Sequence, residues 1–155
     1  MIDPKAYRVE LAIAPSESSY IYASAISTSG KIINLYLSED MGKTFRIILP
    51  GGSTIIDMYN GGGFECNTIA VFPQDAKHIL IGGYPYIWEG KDIKENTYYS
   101  YNRLTQNFGT HAIIFDPQNE DIAYLATDMG IAKATFIEET MATYNLKRKN
   151  FASAQ

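Results

Sequence analysis

The amino-acid sequence predicts an all-β fold that is built from three copies of one small antiparallel unit. Apolar residues make up 46% of the 155 residues, which is enough to form a packed core, and they occur in short runs that favour strands. No segment keeps a 3.6-residue apolar period, so we expect little helix. The third observation is an internal repeat, which predicts the order of the strands.

Three segments of the chain share one plan, which is an apolar strand, a proline turn and a second apolar strand. The turn prolines are Pro15, Pro73 and Pro117, and their spacings of 58 and 44 residues suit a four-stranded unit with loops of variable length. Proline ends each first strand because it cannot donate to a strand ladder and it presets a turn. We therefore predict first strands near residues 8–14, 67–72 and 111–115, and second strands near 20–26, 78–82 and 122–127.

A turn motif lies at the end of the first copy, where Ser-Glu-Asp-Met-Gly-Lys-Thr-Phe separates two apolar runs. Asp40 can accept hydrogen bonds from the backbone N–H groups that follow it, and Gly42 can adopt the positive φ of a tight hairpin. The Thr44 hydroxyl can meet Ser38 across the turn, and Phe45 gives the return strand a large side chain to bury. We therefore interpret these five residues as structural, and Asp40 as a turn-forming rather than a catalytic aspartate.

This motif resembles the Asp-box, also called the BNR repeat, of the β-propellers found in sialidases, xyloglucanases and sortilin-type receptors. The third copy is similar to the blade signature of the same proteins, because it reads His-Ala-Ile-Ile-Phe-Asp-Pro from His111 and continues to a turn at Asp128 and Gly130. The resemblance implies a partial β-propeller of about three four-stranded antiparallel blades, belonging to a larger propeller. Within this single domain, residues 1–155, the blades are expected at about 7–60, 64–107 and 109–152.

The number of blades creates a structural problem for the predicted fold. Propellers close with typically four to eight blades, so three blades leave sheet faces and edges unsatisfied. We therefore expect the missing blades of a longer parent, or other protein chains, to pack against the first and third blades. Part of the set Ile113, Phe115, Tyr124 and Leu125 should face such a neighbour. The alternatives are an oligomer that closes the ring and a smaller sandwich-like fold.

Charge and residue spacing exclude several kinds of site. The net charge of −4 argues against nucleic acid as the main partner. Cys66 is the single cysteine, and neither histidine has a Cys or His neighbour at ligand spacing, so we expect no metal and no cofactor. No apolar run approaches the length of about 20 residues that a membrane-spanning helix requires, so we expect no membrane span.

Two chemical alternatives stay open at this point. Asp116 and Asp128 lie in blade turns and could mimic the paired aspartates of xyloglucanases, in which the carboxyl separation determines the stereochemical outcome. The aromatic groups at 84–88 and 98–101 could form a platform for sugar rings, which makes a glycan a second partner to consider. The simpler interpretation is that alternate aromatic residues pack between blades while the others face solvent.

The repeat is most similar in style to secreted Bacteroidetes surface proteins, including ones associated with type IX secretion, gliding motility and adhesion. That resemblance implies a secreted or cell-surface location. It also implies a non-catalytic propeller module for protein–protein interaction or scaffolding, so we assign no catalytic residue. The alternative is a glycoside hydrolase of sialidase or xyloglucanase type. Converging carboxylates at the central channel would favour the enzyme, since fold alone does not determine function.

Overall fold

The computed structural model of the chain describes residues 2–51, 59–91, 101–104, 108–136 and 147–149, with the backbone alone described for 101–104 and 147–149. Within these ranges the chain forms twelve strands and one helix of four residues. The strands form three four-stranded sheets, each antiparallel throughout and each with its strands in sequence order. The predicted all-β fold with little helix is confirmed. We refer to the three sheets as blades 1, 2 and 3.

Blade 1 consists of β1 (Arg8–Ile13), β2 (Ile21–Ile26), β3 (Ile32–Ser38) and β4 (Arg46–Pro50). Pro15 lies in the turn between β1 and β2, and the turn motif at residues 38–45 joins β3 to β4. Residues 9, 11 and 13 of β1 point to the face of the sheet that lies away from blade 2, because side chains alternate along a strand. We call this the outer face of blade 1.

Blade 2 consists of β5 (Thr68–Val71), β6 (Ile79–Gly82), β7 (Ile87–Gly90) and β8 (Tyr101–Leu104). The helix α1 (Gly63–Cys66) precedes it. All four residues of β6 are buried. This is the pattern of a strand covered on both faces, and blade 2 lies between its two neighbours.

Blade 3 consists of β9 (Thr110–Asp116), β10 (Asn119–Thr127), β11 (Gly130–Thr135) and β12 (Lys147–Lys149). The basic run at 147–149 therefore forms an edge strand that pairs with β11. The first strands of the three repeats are β1, β5 and β9, and the second strands are β2, β6 and β10. All six coincide with the windows that the proline repeat predicted, to within three residues at each end.

Two apolar cores lie between the blades. The core between blades 1 and 2 is large, and its fully buried members include Tyr22, Leu35, Leu37, Ile79 and Ile81. The core between blades 2 and 3 is smaller and contains Phe72, Leu80, Ile87, Leu125, Ala132 and Ala134. Sheet-on-sheet packing of aliphatic faces thus holds the three blades together.

A buried polar network crosses from blade 1 to the segment before blade 2. The hydroxyls of Ser24 and Tyr59 are 2.6 Å apart, and the Tyr59 hydroxyl donates to Oδ1 of Asn67 at 2.7 Å. The side-chain amide of Asn67 donates to the backbone carbonyl of Ser24 at 3.1 Å. Burial raises the pKa of the Tyr59 phenol well above its ordinary value, so it stays a hydrogen-bond donor at neutral pH.

The outer faces of blades 1 and 3, which point away from blade 2, are only partly covered within the described part of the chain. On blade 3 the outer face is the one that carries Ile114, Tyr124 and Ile131, which are 65%, 40% and 43% exposed. The structure corrects part of the expectation about this blade, because Ile113, Phe115 and Leu125 pack towards blade 2. Of the four residues named from the sequence, Tyr124 points away from blade 2.

Candidate functional site

The turn motif at residues 38–45 has a hydrogen-bond pattern centred on Asp40. Its Oδ1 accepts from the Ser38 hydroxyl and from the Thr44 N–H, both at 2.8 Å, and its Oδ2 accepts from the Thr44 hydroxyl at 2.6 Å. We had expected the Thr44 hydroxyl to meet Ser38. In the structure it bonds to Asp40 instead. Ser38 accepts the Gly42 N–H at 2.8 Å, and Gly42 has a φ of 82°. Phe45 is half-buried and packs against Ala23, Ala25 and Tyr36.

The electrostatics of Asp40 follow from these bonds. The hydrogen bonds from the Thr44 side chain and backbone, and then that from Ser38, lower the pKa of Asp40 to about 2. A carboxylate with so low a pKa holds its charge and is a poor proton donor at neutral pH. The geometry of the motif is that of a turn, and the purely structural role of Asp40 stays a prediction.

The three proline turns meet around a cavity of about 640 Å³ at one end of the blades. All three blades contribute, through Pro15, Pro73 and the β9–β10 turn. Apolar side chains and three carboxylates share the lining, and no basic side chain lines it. The lining residues are Pro15, Val71, Pro73, Gln74, Phe115, Asp116, Pro117, Gln118, Asn119, Glu120 and Asp121. This concave, mixed surface is the candidate ligand site within the described residues.

Asp116 has a defined orientation at the rim of this cavity. Its Oδ1 accepts the Gln118 N–H at 2.9 Å, and its Oδ2 accepts the Tyr124 hydroxyl at 3.3 Å. Asp121, near the start of β10, donates its backbone N–H to Oδ1 of Asn119 at 3.1 Å. The Asp116 carboxylate is thus held by local hydrogen bonds, and all three acidic side chains of the lining remain exposed or half-exposed.

Asp116 and Asp128 do not form the catalytic pair that the sequence left open. Asn119 of β10 pairs with Asp116, whereas Thr127 at the other end of β10 pairs with Thr110. Eight residue steps of an extended strand span roughly 26 Å, which places the two carboxylates at opposite ends of the blade. Paired glycosidase carboxylates are about 5 to 9.5 Å apart, so these two cannot act on one glycosidic bond.

Asp128 belongs instead to a hydrogen-bonded cluster with His111 at the other end of the blade. His111 Nε2 lies 2.6 Å from Oδ1 of Asp128, and His111 Nδ1 lies 3.0 Å from the backbone carbonyl of Glu65. Oδ2 of Asp128 accepts the Gly109 N–H at 2.7 Å. The Gly109 bond, followed by that of His111, lowers the pKa of Asp128, and the bonds to Asp128 and Glu65 raise the pKa of His111.

Cys66 lies beside this cluster but is not a nucleophile. A Cβ built on Gly109 would meet the Cys66 sulfur at 2.4 Å and Oδ2 of Asp128 at 2.9 Å, so all three residues are close. Burial, and then the negative charges of Asp128 and Glu65, raise the pKa of the thiol to about 11. The side chain of Cys66 is buried, and its reactive thiolate is scarce at neutral pH.

A second hydrogen-bonded pair, which the sequence did not reveal, links His78, just before β6, to Glu89 of β7. His78 Nε2 is 2.8 Å from Oε1 of Glu89, the Lys91 ammonium is 3.6 Å from the same oxygen, and the His78 ring stacks on Phe72. Burial alone would raise the pKa of Glu89, but His78 and Lys91 together lower it. Only the hairpin register, in which Leu80 opposes Glu89, brings these residues together.

The aromatic segment at 84–88 divides between packing and exposure. Trp88 packs against the core between blades 1 and 2, and its ring meets that of Tyr86 edge to face at 6.4 Å. Tyr84 is 41% exposed. The other aromatic group, at 98–101, lies outside the residues whose side chains the structure describes. The first segment thus follows the packing interpretation more than a continuous sugar platform.

Among the described residues, no three His, Cys, Asp or Glu side chains come together as a metal site. The single short helix of the described ranges is far below the length and apolarity that a membrane-crossing helix needs.

The comparisons with known proteins identify the fold. No protein-family model and no curated protein matches the chain. Among solved structures, the GH74 enzyme of Niastella koreensis matches with a TM-score of 0.59 at 18% identity, over 82% of this chain and 21% of that enzyme. An ancestral GH74 enzyme matches with a TM-score of 0.52 at 17% identity, over 84% of this chain and 18% of the other. This chain therefore spans about a fifth of their length.

These two neighbours are propellers, and the likeness confirms the predicted fold class. The three four-stranded antiparallel sheets are blades of a β-propeller, and they correspond to part of a larger propeller in each neighbour. At 17 and 18% identity the comparison establishes the fold and does not by itself assign chemistry to this chain.

Proposed function

We propose that these three blades form a non-catalytic β-propeller module whose outer faces bind further β-sheet, as part of a protein scaffold. The observation that carries the proposal is the apolar character of both outer faces. On blade 1, Leu11 and Ile13 are each 59% exposed and Ile47 is 52% exposed. On blade 3, the exposed apolar residues Ile114, Tyr124 and Ile131 lie on the face that points away from blade 2.

The strand register relates these residues to one another. Leu11 pairs with Ala23, Ala23 with Tyr36 and Tyr36 with Ile47, so one row crosses all four strands of blade 1. The two middle residues of this row are already buried within the chain, so its exposed apolar positions are the two ends, Leu11 and Ile47. On blade 3 one row joins Ile114, Tyr124 and Lys133, and the next joins Ala112, Ala126 and Ile131. Directly opposed residues share a face, so both rows of blade 3 lie on its outer face.

The occupant that fits both surfaces is another antiparallel blade with an aliphatic face. The cores between blades 1 and 2 and between blades 2 and 3 are built in this way, from aliphatic and aromatic side chains of facing sheets. A flat sheet face with few charges suits such a partner better than a nucleic acid or a highly charged peptide. The further sheet can come from the same protein or from a second chain.

The described titratable groups support a structural module over an enzyme. Three carboxyl groups have displaced pKa values, namely Asp40, Glu89 and Asp128, and all three are displaced downward. A general acid at neutral pH requires the opposite displacement.

The association with a secreted or cell-surface complex, including the Asp-box and Bacteroidetes affiliation, is part of this proposal and rests on the sequence resemblance.

Substitutions on the outer faces test the proposal. We expect the purified chain to self-associate with increasing concentration in light scattering, and Leu11→Lys or Ile114→Lys to weaken that association about tenfold or more, because each places a charge in an apolar contact. Ile81→Lys is the control for a face already covered within the chain, and it should prevent folding. A monodisperse, cooperatively melting wild-type monomer that binds no apolar dye would contradict the proposal.

A glycoside hydrolase is the second candidate function. Two observations favour it, which are the fold shared with GH74 enzymes and the acidic cavity between the proline turns. In that case Asp116 and Asp121 are the carboxylates to examine, because both line the cavity. Hydrolysis of xyloglucan or a sialoside that is lost in Asp116→Asn and Asp121→Asn, but retained in Asp128→Asn, would support the enzyme.

A further inference from the structure

We propose that His111 is a protonation-dependent latch that fastens blade 3 to the helix preceding blade 2. Its side chain starts on the first strand of blade 3 and makes two hydrogen bonds. Nδ1 lies 3.0 Å from the Glu65 carbonyl oxygen in α1, and Nε2 lies 2.6 Å from Oδ1 of Asp128 in the β10–β11 turn. One imidazole ring thus connects α1 with the first strand and the β10–β11 turn of blade 3.

The chemistry of the two acceptors determines the charge of the ring. A backbone carbonyl can only accept, and an ionised carboxylate can only accept. Both ring nitrogens must therefore carry a proton for both hydrogen bonds to form, and that species is the imidazolium cation. A neutral imidazole has one N–H, so one of the two bonds is lost when the ring loses a proton.

The remaining bonds of the cluster show which segments the loss of a His111 hydrogen bond affects. Asp128 also accepts the Gly109 N–H at 2.7 Å and donates its own N–H to the Gly109 carbonyl at 3.2 Å, which holds the start of β9 against the β10–β11 turn. His111 adds α1 to this arrangement through Glu65. In the protonated state His111 bonds to both α1 and the β10–β11 turn, and in the neutral state it loses one of these two bonds while the Gly109 bonds to Asp128 remain.

The other titratable and charged groups around the ring favour the cation. Asp128 faces it from the turn, and Glu65 and the protonated thiol of Cys66 belong to α1. Arg8 of β1 approaches α1 by donating to the Phe64 carbonyl, but its guanidinium is paired with Glu10 at 2.6 Å. The hydrogen bonds to Asp128 and Glu65 raise the pKa of His111 above 6.5.

The direction of the pH dependence follows from that displacement. A histidine whose pKa is raised by folding stabilises the folded state at pH values below the ordinary pKa of 6.5. This stabilisation declines as the pH rises through the folded-state pKa. The contact between α1 and blade 3 is therefore tightest in mildly acidic solution and loosens as the solution becomes alkaline.

Nuclear magnetic resonance of the wild-type chain tests the latch directly, since the sequence has two histidines and hence two ring signals. We expect the ¹⁵N shifts of His111 to report protonation of both ring nitrogens at pH 6.5, and its titration midpoint to fall in Asp128→Asn. Amide exchange in α1 and at the start of β9 should accelerate as the His111 ring titrates. His78→Gln assigns the signals without altering the cluster.

Three results would overturn the proposal. The first is a His111 ring that is neutral in wild-type protein at pH 6.5. The second is an identical His111 titration in the wild type and in Asp128→Asn. The third is amide exchange in α1 that does not change across the titration of the ring. Because the first and third measurements need no substitution in the cluster, they decide the question even if a variant fails to fold.

Discussion

The phenolic hydroxyl of Tyr22 in β2 donates a hydrogen bond of 2.6 Å to the backbone carbonyl of Ala76, in the turn that precedes β6. The bond is buried and joins residues 54 positions apart, so it connects blade 1 with blade 2. The tyrosine ring itself belongs to the apolar core between these blades. One side chain therefore contributes apolar burial and a directional contact to the same interface.

Tyr22→Phe tests the contribution of this hydroxyl. The substitution keeps the ring and leaves the buried Ala76 carbonyl without this donor, so the free energy of unfolding should fall by about 1 to 3 kcal/mol. Tyr124→Phe is the matched control, because the Tyr124 hydroxyl is exposed and lies 3.3 Å from Asp116. Denaturant unfolding of both variants checks the prediction, and equal losses would show that the inter-blade bond has no special weight.

Asp40→Asn tests the turn motif through the pH dependence of stability. Folding lowers the pKa of Asp40 from 3.8 to about 2, so the ionised carboxylate stabilises the protein above pH 4. That stabilisation is lost as the pH falls through about 2. The asparagine does not titrate, so melting temperatures between pH 4 and pH 2 should fall less steeply in the variant than in the wild type.

The same substitution also tests the structural interpretation of the motif. At pH 7, Asp40→Asn should lower the melting temperature and leave any binding or activity of the protein unchanged. Glu39→Gln is the control within the same turn, since Glu39 makes an exposed ion pair with Arg46 at 3.1 Å. Loss of function in an Asp40→Asn protein that remains folded would assign this residue a functional role.

Two threonines of blade 3 should respond in opposite ways to substitution by valine. The Thr110 hydroxyl is buried and has no hydrogen-bond partner among the described residues, so Thr110→Val should raise the free energy of unfolding by up to about 1 kcal/mol. The Thr127 hydroxyl donates to the Gly130 carbonyl at 2.8 Å and accepts the Met129 N–H at 3.2 Å. Thr127→Val should therefore destabilise the protein by about 1 kcal/mol. Thermal or chemical unfolding gives the comparison, and the reverse order would refute it.

The sequence located the strands well because the signals for strands are local. Proline at 15, 73 and 117 terminates a strand wherever it occurs, and short β-branched runs beside it favour extended backbone. The predicted windows for the first and second strands of each blade are confirmed. The turn at residues 38–45 could also be predicted from the sequence, since the residues that bond Asp40 lie within four positions of it.

The sequence did not predict in the same way which side chains of a strand face the core. In blade 3 the adjacent residues Ile113 and Ile114 are both apolar, and so are Tyr124 and Leu125. Alternation then does not say which residue of each pair faces the core. The structure places Ile113 and Leu125 against blade 2 and leaves Ile114 and Tyr124 on the outer face.

The cluster of His111 and Asp128 required the register of the β9–β10 pair. The two residues are 17 positions apart, and the irregularity between Ala126 and Thr127 shifts the pairing at that end of the blade. Sequence reasoning considered Asp128 beside Asp116 because both occupy turns. The length of β10 separates them, and the same strand brings Asp128 to His111.

By itself, the sequence determined that this protein consists of repeated antiparallel β-units with proline turns and one hairpin turn organised by Asp40. These features depend on backbone geometry and on contacts between residues a few positions apart, which residue type and spacing encode directly. Only the tertiary structure decided which sheet faces are buried, which carboxylates share the cavity, and which groups His111 joins. Those outcomes depend on strand register and on the packing of one blade against the next, where residues distant in sequence must meet within hydrogen-bond distance.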